Sequence, residues 1–343
     1  MKKCNSNSSI ISELNFKIKN VEKYISHSKY KEEMINKVEP YLKKKLENGY
    51  IIGEKDVKLY YEKFICENAK ANIVICHGFG ECTEKYYELI YYFINEGYSV
   101  FIIEHRGNAR SQRLGIDDYQ ISVDKFSYYI EDFKKFIDEV VIPNGNDKKL
   151  LLFAHSMGGA IGTMFLERYQ EYFSGAVLSA PMHEINTGKV PKFVATSIAR
   201  IMKLWGKGNQ YLPGQEIYNG EKRFSARSTS CKERYEYQFN KVKNTKSYQT
   251  GGSSAQWYLE GAKVTKEMVK KKNASKVKIP ILLFQAEYDT HVMPRGHYKF
   301  AGYAKNCRVI YIKGSKHEPY FEIDKIAFAF IERVLSFYSE IIN

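Results

Sequence analysis

Short apolar runs alternate with helical patterns over most of the chain. Each run is rich in Val, Ile, Leu and Phe, and the next stretch carries apolar residues at helical spacing. Strands that are apolar throughout are typical of a parallel sheet covered by helices on both faces. The pattern therefore predicts an α/β fold, with a mostly parallel central sheet flanked by helices. The predicted strands are residues 73–76, 99–103, 150–153, 175–179, 281–284 and 309–312, and the clearest helices are 86–95, 126–140, 160–169 and 324–338.

Two regions depart from this alternation. Residues 1–48 contain few helix breakers from position 10 onward, and we predict an N-terminal helical extension there, followed by a hairpin over 50–66. Residues 181–255 contain amphipathic helical pieces and many aromatic residues but no clear strand. We therefore predict one α/β domain, formed by residues 49–180 and 256–343, with a mainly helical insertion at 181–255.

The composition indicates a cytoplasmic protein. Hydrophobic residues make up 44% of the 343 positions, enough for a large core. No apolar run approaches the ~20 residues of a membrane span. The N-terminus is basic and polar, without the apolar core of a signal peptide. The six cysteines form no Cys-x-x-Cys pair, so we expect free and mostly buried thiols.

The formal net charge of +14 raises the question of an acidic partner. The lysines are spread along the chain, and even the densest run, 266–278, alternates with apolar residues as on a solvated helix face. We therefore expect no nucleic-acid binding. Attraction to an anionic lipid surface is the better interpretation, with the protein peripheral to the inner face of the membrane.

The strongest chemical signal is Phe153-Ala154-His155-Ser156-Met157-Gly158-Gly159. An apolar strand ends here at a serine surrounded by small residues, and a helical pattern follows. Such a turn presents the serine hydroxyl above the sheet edge, where a base can activate it. The usual pattern is Gly-x-Ser-x-Gly, and Ala154 stands at the first glycine. An incidental serine in an ordinary strand-to-helix turn is the alternative.

A serine nucleophile needs a base and an acid that orients the base. Asp289 follows the strand 281–284, and His317 follows the strand 309–312. Loops after parallel strands lie along one sheet edge, so we expect Ser156, Asp289 and His317 to converge. Glu287 is the alternative acid, and a turn-forming role is the alternative for Asp289. Among the other histidines, His183 could line a pocket.

The oxyanion that forms during attack needs backbone N–H donors. We predict Met157, directly after the nucleophile, and Phe79, in the glycine-containing loop after the strand 73–76. An ordinary glycine turn is the alternative for that loop. We assign His105 and Arg106 a structural role behind the site. No cluster has metal-ligand spacing and no glycine-rich phosphate loop is present, so we expect neither a metal nor another cofactor.

Together these segments resemble the α/β-hydrolase superfamily, within its monoacylglycerol lipase and bacterial lysophospholipase group. The resemblance covers about residues 50–340 and includes the order Ser, Asp, His. Ala154 and Ala286 stand where the family tends to have glycine. The matching segments are His77-Gly78-Phe79-Gly80-Glu81, Glu104-His105-Arg106-Gly107, His155-Ser156-Met157-Gly158-Gly159, Ser179-Ala180-Pro181-Met182, Tyr211-Leu212-Pro213-Gly214 and Gly251-Gly252-Ser253-Ser254-Ala255-Gln256-Trp257.

The resemblance implies the α/β-hydrolase fold and makes the insertion at 181–255 a cap over the site. It implies a serine carboxylester hydrolase that cleaves the acyl ester of single-chain lipids, above all lysophospholipids, through an acyl-enzyme. Monoacylglycerol lipase, small-ester esterase and acyltransferase are alternatives, and a non-catalytic ligand-binding protein is a further one. We expect the substrate to contact His77, Gly78, His155, Met182 and Trp205.

Overall fold

The computed structural model describes residues 11–221, 224 and 228–343. Nine strands form one sheet in the order β1-β9-β8-β7-β6-β4-β5-β3-β2. β2 and β3 pair antiparallel, as do β3 and β5, and every other pairing is parallel. The strands are β1 Ile11–Glu13, β2 Leu46–Ile52, β3 Lys58–Phe64, β4 Asn72–Cys76, β5 Ser99–Ile103, β6 Leu150–His155, β7 Gly175–Ser179, β8 Ile281–Ala286 and β9 Cys307–Ile312.

Helices cover both faces of this sheet, and the central strands are therefore buried on both sides. One apolar core joins the sheet to α4, α6, α9 and α11, and a second joins it to α3 and α12. The helices are α1 Tyr30–Glu33, α2 Glu39–Lys43, α3 Tyr87–Asn95, α4 Ser127–Phe136, α5 Ile142–Asn144, α6 Ser156–Tyr169, α7 Lys192–Leu204, α8 Lys232–Asn244, α9 Ala255–Met268, α10 Lys271–Ala274, α11 Pro294–Ala301 and α12 Asp324–Ile342. The predicted fold class is confirmed.

The N-terminal region corrects one prediction. A helical extension over 1–48 is wrong for the described residues, because β1 is a short strand that pairs with β9 and β2 already begins at Leu46. Between them, the side chains of Asn20 and Ser26 accept N–H groups two residues onward and start short turns. Such local bonds compete with a continuous helix. Single 3-10 turns lie at Val21–Lys23 and His27–Lys29, and longer helical backbone is confined to residues 30–43. Residues 1–10 lie outside the described part.

The stretch after β7, predicted to be an insertion, contains two helices of 13 residues each. Within its described residues, 181–254 form α7 and α8 and only isolated bridges of extended backbone. α7 packs on α9 through small side chains, among them Ala195, Ala199 and Ala262, in a minor core separate from the two that flank the sheet. The five described cysteines are free, and all but the half-buried Cys66 are buried. The structure contains no helix, among the described residues, that is long and apolar enough to span a bilayer.

Candidate active site

Ser156 stands at the sharp turn between β6 and α6. Its φ angle is +51°, a left-handed conformation that costs energy in any residue with a side chain. The helix passes close to β4, and a Cβ on Gly158 would lie 2.1 Å from the carbonyl oxygen of Cys76. Ala154 fits in place of glycine because it faces Gly162, where an added Cβ would come within 3.1 Å of the Ala154 methyl.

The structure brings the three predicted reactive side chains into one hydrogen-bonded chain. Nε2 of His317 lies 2.8 Å from Oγ of Ser156, and Nδ1 of His317 lies 2.7 Å from Oδ2 of Asp289. Asp289 and His317 occupy the loops after β8 and β9, so the parallel sheet places both at the edge where Ser156 emerges. Both side chains are nearly buried.

Asp289 is built to remain ionised. Its Oδ1 accepts the backbone N–H groups of His291 at 2.8 Å and Val292 at 3.0 Å. Burial alone would raise the pKa of Asp289, but the charge and hydrogen bond of His317 and these backbone bonds lower it to about 2. The alternative acid, Glu287, instead accepts the N–H of Gly314 at 2.8 Å. The geometry thus favours Asp289 over Glu287 as the partner of the histidine.

The loop after β4 carries the predicted oxyanion donor. The N–H of Gly78 donates to Glu81 at 2.6 Å, and the N–H of Gly80 donates to Asn108 at 2.9 Å. Between them, the N–H of Phe79 has no acceptor among the described residues. Met157 lies in the first turn of α6, where backbone N–H groups have no partner within the helix. Phe79 lines the cavity over Ser156, and the assignment of both N–H groups as oxyanion donors stays a prediction.

A buried ionic cluster joins this loop to the histidine loop. The ammonium of Lys85 lies 2.7 Å from a carboxylate oxygen of Glu81 and 2.7 Å from one of Glu318, the residue after His317. Glu81 also accepts the hydroxyl of Tyr86 at 2.6 Å. Glu81, Glu318 and His155 offer atoms close enough to ligate a metal ion, but the Lys85 ammonium already lies against both carboxylates.

Of the five predicted substrate contacts, His155 lines the cavity over Ser156 and the other four do not. His77 is buried, donating from Nδ1 to the carbonyl of Gly78 and accepting the His105 N–H at Nε2. Met182 is buried in the core. Trp205 is 75% exposed at the end of α7, away from Ser156. Gly78 also lies outside the residues that line the cavity over Ser156, and His155 lies among them.

Three histidines lie behind the site. His183 is buried against Thr163, 2.8 Å from its hydroxyl, and does not line the cavity at Ser156. His105 packs on His77 with 4.4 Å between ring centroids. Arg106 forms a buried bidentate ion pair with Asp132, at 2.6 and 2.8 Å. These contacts agree with the structural role predicted for His105 and Arg106.

A cavity of about 240 Å³ lies over Ser156. Sequence reasoning missed the part of its wall that comes from the insertion, which includes Gln238 and Val242 on α8 and Tyr248 beyond it. The i, i+4 spacing of Gln238 and Val242 was a weak signal for one helix face. The described residues around this cavity are Phe79, Gly80, Glu81, Cys82, Lys85, His155, Ser156, Ser228, Gln238, Val242, Tyr248, His291, His317 and Glu318.

A larger cavity, of about 600 Å³, lies at the opposite edge of the sheet. It is bordered by Asn72 and Leu150, the first residues of β4 and β6, whereas Ser156 follows the last residue of β6. Ligands of open α/β sheets bind at the carboxyl ends of the strands. The smaller cavity is therefore the one connected with the reactive side chains.

Comparison with known proteins agrees with this geometry. Residues 67–324 match a hydrolase family described as "Serine aminopeptidase, S33". Lysophospholipase L2 of Escherichia coli strain K12 is 30% identical over 299 residues, which cover 84% of this chain and 86% of that protein. Mouse monoglyceride lipase is 32% identical over 115 residues, 33% of this chain and 35% of that protein.

A solved structure of a monoglyceride lipase has a similar fold. A soluble variant of monoglyceride lipase from Saccharomyces cerevisiae superposes with a TM-score of 0.70 at 17% identity, over 86% of this chain and 95% of that one. The family match spans most of the chain, and the lysophospholipase match spans most of both proteins. The resemblance seen in the motifs is confirmed: the chain belongs to the α/β-hydrolase family described as "Serine aminopeptidase, S33", and it is a serine hydrolase of the carboxylic ester class.

Proposed function

We propose that this protein hydrolyses the acyl ester of single-chain lipids, with lysophospholipids as the main substrates. The observation that carries the proposal is the hydrogen-bonded chain Ser156–His317–Asp289 at the floor of a cavity. The substrate class is inferred from the similarity to lysophospholipase L2 over most of both chains. Monoglycerides are the second candidate, since the monoglyceride lipases of mouse and other organisms share a shorter part of the sequence.

In the first half of the reaction, Nε2 of His317 takes the Ser156 proton as Oγ attacks the ester carbonyl. Asp289 keeps Nδ1 protonated and stabilises the imidazolium that forms. The oxyanion receives hydrogen bonds from the N–H groups of Phe79 and Met157, and the dipole of α6 supports the same charge. The intermediate collapses, His317 gives its proton to the leaving glyceryl oxygen, and the acyl group stays on Ser156.

In the second half, water enters where the alcohol left. His317 takes a proton from this water, which attacks the acyl carbonyl of Ser156. A second oxyanion forms and collapses, the fatty acid leaves, and the proton returns from His317 to Oγ of Ser156. The enzyme is thereby restored without any cofactor.

A fluorophosphonate probe together with product analysis tests this proposal. We expect the probe to label Ser156 and to leave Ser156→Ala unlabelled, with ester hydrolysis reduced to background in that variant. On a panel of lysophospholipids and monoacylglycerols of equal chain length, kcat/KM should be highest for lysophospholipids. Ester hydrolysis by Ser156→Ala at the wild-type rate would refute the mechanism. A higher kcat/KM for monoacylglycerols would instead assign the second candidate.

We also propose that the protein contacts an anionic membrane surface through α7 and its flanks. Large apolar side chains are unusually exposed there: Phe193 by 74%, Leu204 by 84% and Trp205 by 75%. Exposed basic residues, including Arg200, Lys203 and Lys207, lie among them. Apolar side chains enter the lipid interface, and each basic residue near an anionic surface adds about 1 kcal/mol of attraction.

Vesicle sedimentation tests this surface. Binding to vesicles with phosphatidylglycerol should exceed binding to phosphatidylcholine vesicles at low salt and weaken as salt is added. The double substitution Leu204→Ser, Trp205→Ser should abolish most of the binding. Ile116→Ser is the control, because Ile116 is also exposed but lies outside α7. Equal binding to both vesicle types at low salt would refute the proposal.

A further inference from the structure

The N-terminal region packs against one helix of the insertion, α8. We call residues 11–43, from β1 to the end of α2, the N-terminal strap. The strap packs on α3 and α12 through the second core, where it buries Tyr24, Ile25 and Tyr30, among others. On the way it contacts α8, the insertion helix that supplies Gln238 and Val242 to the cavity wall. The strap therefore contacts one face of a helix whose neighbouring face lines the cavity.

Arg234, at the start of α8, is the centre of this contact. Its guanidinium is fully buried and forms a bidentate pair with Glu88 of α3, at 2.8 and 3.0 Å. It also donates to the carbonyl of Ile25 at 3.0 Å and lies 4.9 Å from the ring centroid of Tyr30, both in the strap. A buried guanidinium with this many partners has one low-energy position, so it fixes the first turn of α8.

A second contact holds the middle of the helix. Glu39 of the strap accepts the hydroxyl of Tyr237 and pairs with the ammonium of Lys241. Residues 234, 237 and 241 follow the i, i+3, i+7 spacing of one helix face. Residues 238 and 242 lie on the neighbouring face, where the amide of Gln238 donates to the thiol of Cys82 at 3.6 Å. The strap thus holds one side of α8 while the adjacent side faces the cavity.

We propose that the N-terminal strap is a positioning element of the active site, which holds α8 so that Gln238 and Val242 form the wall of the substrate cavity. This inference rests on the proposed function in one respect: it assumes that the lipid substrate binds in the cavity over Ser156. As a consequence, the strap controls the binding of long-chain substrates although it does not touch the reacting atoms. Loosening it should raise KM for long acyl chains and leave the chemistry on small esters intact.

The strap itself supplies a matched pair of substitutions. Glu39→Ala removes the acceptor of Tyr237 and one of the two carboxylate partners of Lys241, whose ammonium also pairs with Glu84 at 2.7 Å. Glu33→Ala is the control, because Glu33 pairs with Lys37 inside the strap and its side chain is 28% exposed, against 29% for Glu39. Tyr237→Phe is a milder second variant that removes only the hydroxyl, for use if Glu39→Ala does not fold.

Two measurements decide between positioning and general stability. In Glu39→Ala, hydrogen exchange of the α8 amides should be about tenfold faster than in the wild type, and KM for a long-chain lysophospholipid about fivefold higher. The kcat for a short soluble ester should stay within twofold. Glu33→Ala should change neither quantity.

Equal α8 exchange and equal KM in the two variants would overturn the inference. So would a proportional loss of kcat on every ester in Glu39→Ala. The exchange measurement needs no substrate, and labelling of Ser156 by a fluorophosphonate reports on the reaction separately. Failure of the proposed function would therefore be distinguished from failure of the strap inference.

Discussion

Replacing Asp289 with Asn tests the proposed relay at its acid. Oδ1 of Asp289 is held by the N–H groups of His291 and Val292, so the oxygen of an asparagine must stay at that position. The amide nitrogen then occupies the place of Oδ2, 2.7 Å from Nδ1 of His317. An amide N–H there turns Nδ1 into an acceptor and places the ring proton on Nε2. His317 can then no longer accept the Ser156 proton.

The wrong tautomer should lower kcat by about 10⁴-fold, which corresponds to roughly 5.4 kcal/mol of transition-state stabilisation. KM should change little, because Asp289 does not line the cavity. The assay is steady-state hydrolysis of a soluble ester and of a lysophospholipid, together with the rate of fluorophosphonate labelling. Glu287→Gln is the matched control and should retain activity within twofold. A kcat above about a tenth of the wild-type value in Asp289→Asn, or an equal loss in Glu287→Gln, would refute the reasoning.

Three further predictions concern Gly158, Lys85 and His297, a buried residue of α11. Gly158→Ala places a methyl group against the Cys76 carbonyl and should cost about 1–3 kcal/mol of unfolding free energy, measured by urea titration; an unchanged midpoint would contradict the close approach. Lys85→Met leaves Glu81 and Glu318 without their cation and should lower kcat at least tenfold, whereas Lys85→Arg should recover most of it; equal losses in both variants would contradict an ionic role. Burial lowers the pKa of His297 to about 4, whereas a histidine of the unfolded chain has a pKa of about 6.5. Between these two pH values the unfolded chain binds a proton at this histidine and the folded chain does not. Stability should therefore fall as pH drops from about 6.5 to about 4, and His297→Gln should flatten the corresponding slope in melting temperature.

Much of the core could be predicted because its signals are local. The strand at 150–153 is apolar on both faces and is followed by small residues and a helical period, and the structure has β6, the turn at Ser156 and α6 in those places. Asp289 and His317 could be named because each follows such a strand, and parallel strands bring their carboxyl ends to one edge.

The errors arose where local patterns compete with tertiary contacts. The sequence of residues 10–29 favours a helix by composition, yet β1 pairs with β9 at the edge of the sheet, and Asn20 and Ser26 start turns. His77 and Met182 are near reactive residues along the chain, but their groups are directed into the core. A residue's position next to a reactive residue in the sequence does not determine the direction of its side chain.

The sequence by itself determined the fold class and the element that presents Ser156, and it placed His317 and two candidate acids, Asp289 and Glu287, after neighbouring strands. Hydrophobic period and position at strand ends suffice for these. The choice between the two acids came from the structure, where Asp289 lies 2.7 Å from His317. Only the tertiary structure decided which residues enclose the cavity and what holds them. Gln238 and Val242 line the same cavity as Ser156 although more than 80 positions of chain separate them from it, and Arg234 donates to Ile25 across 209 positions. Such contacts depend on how separate elements pack, and no local pattern in the chain records that.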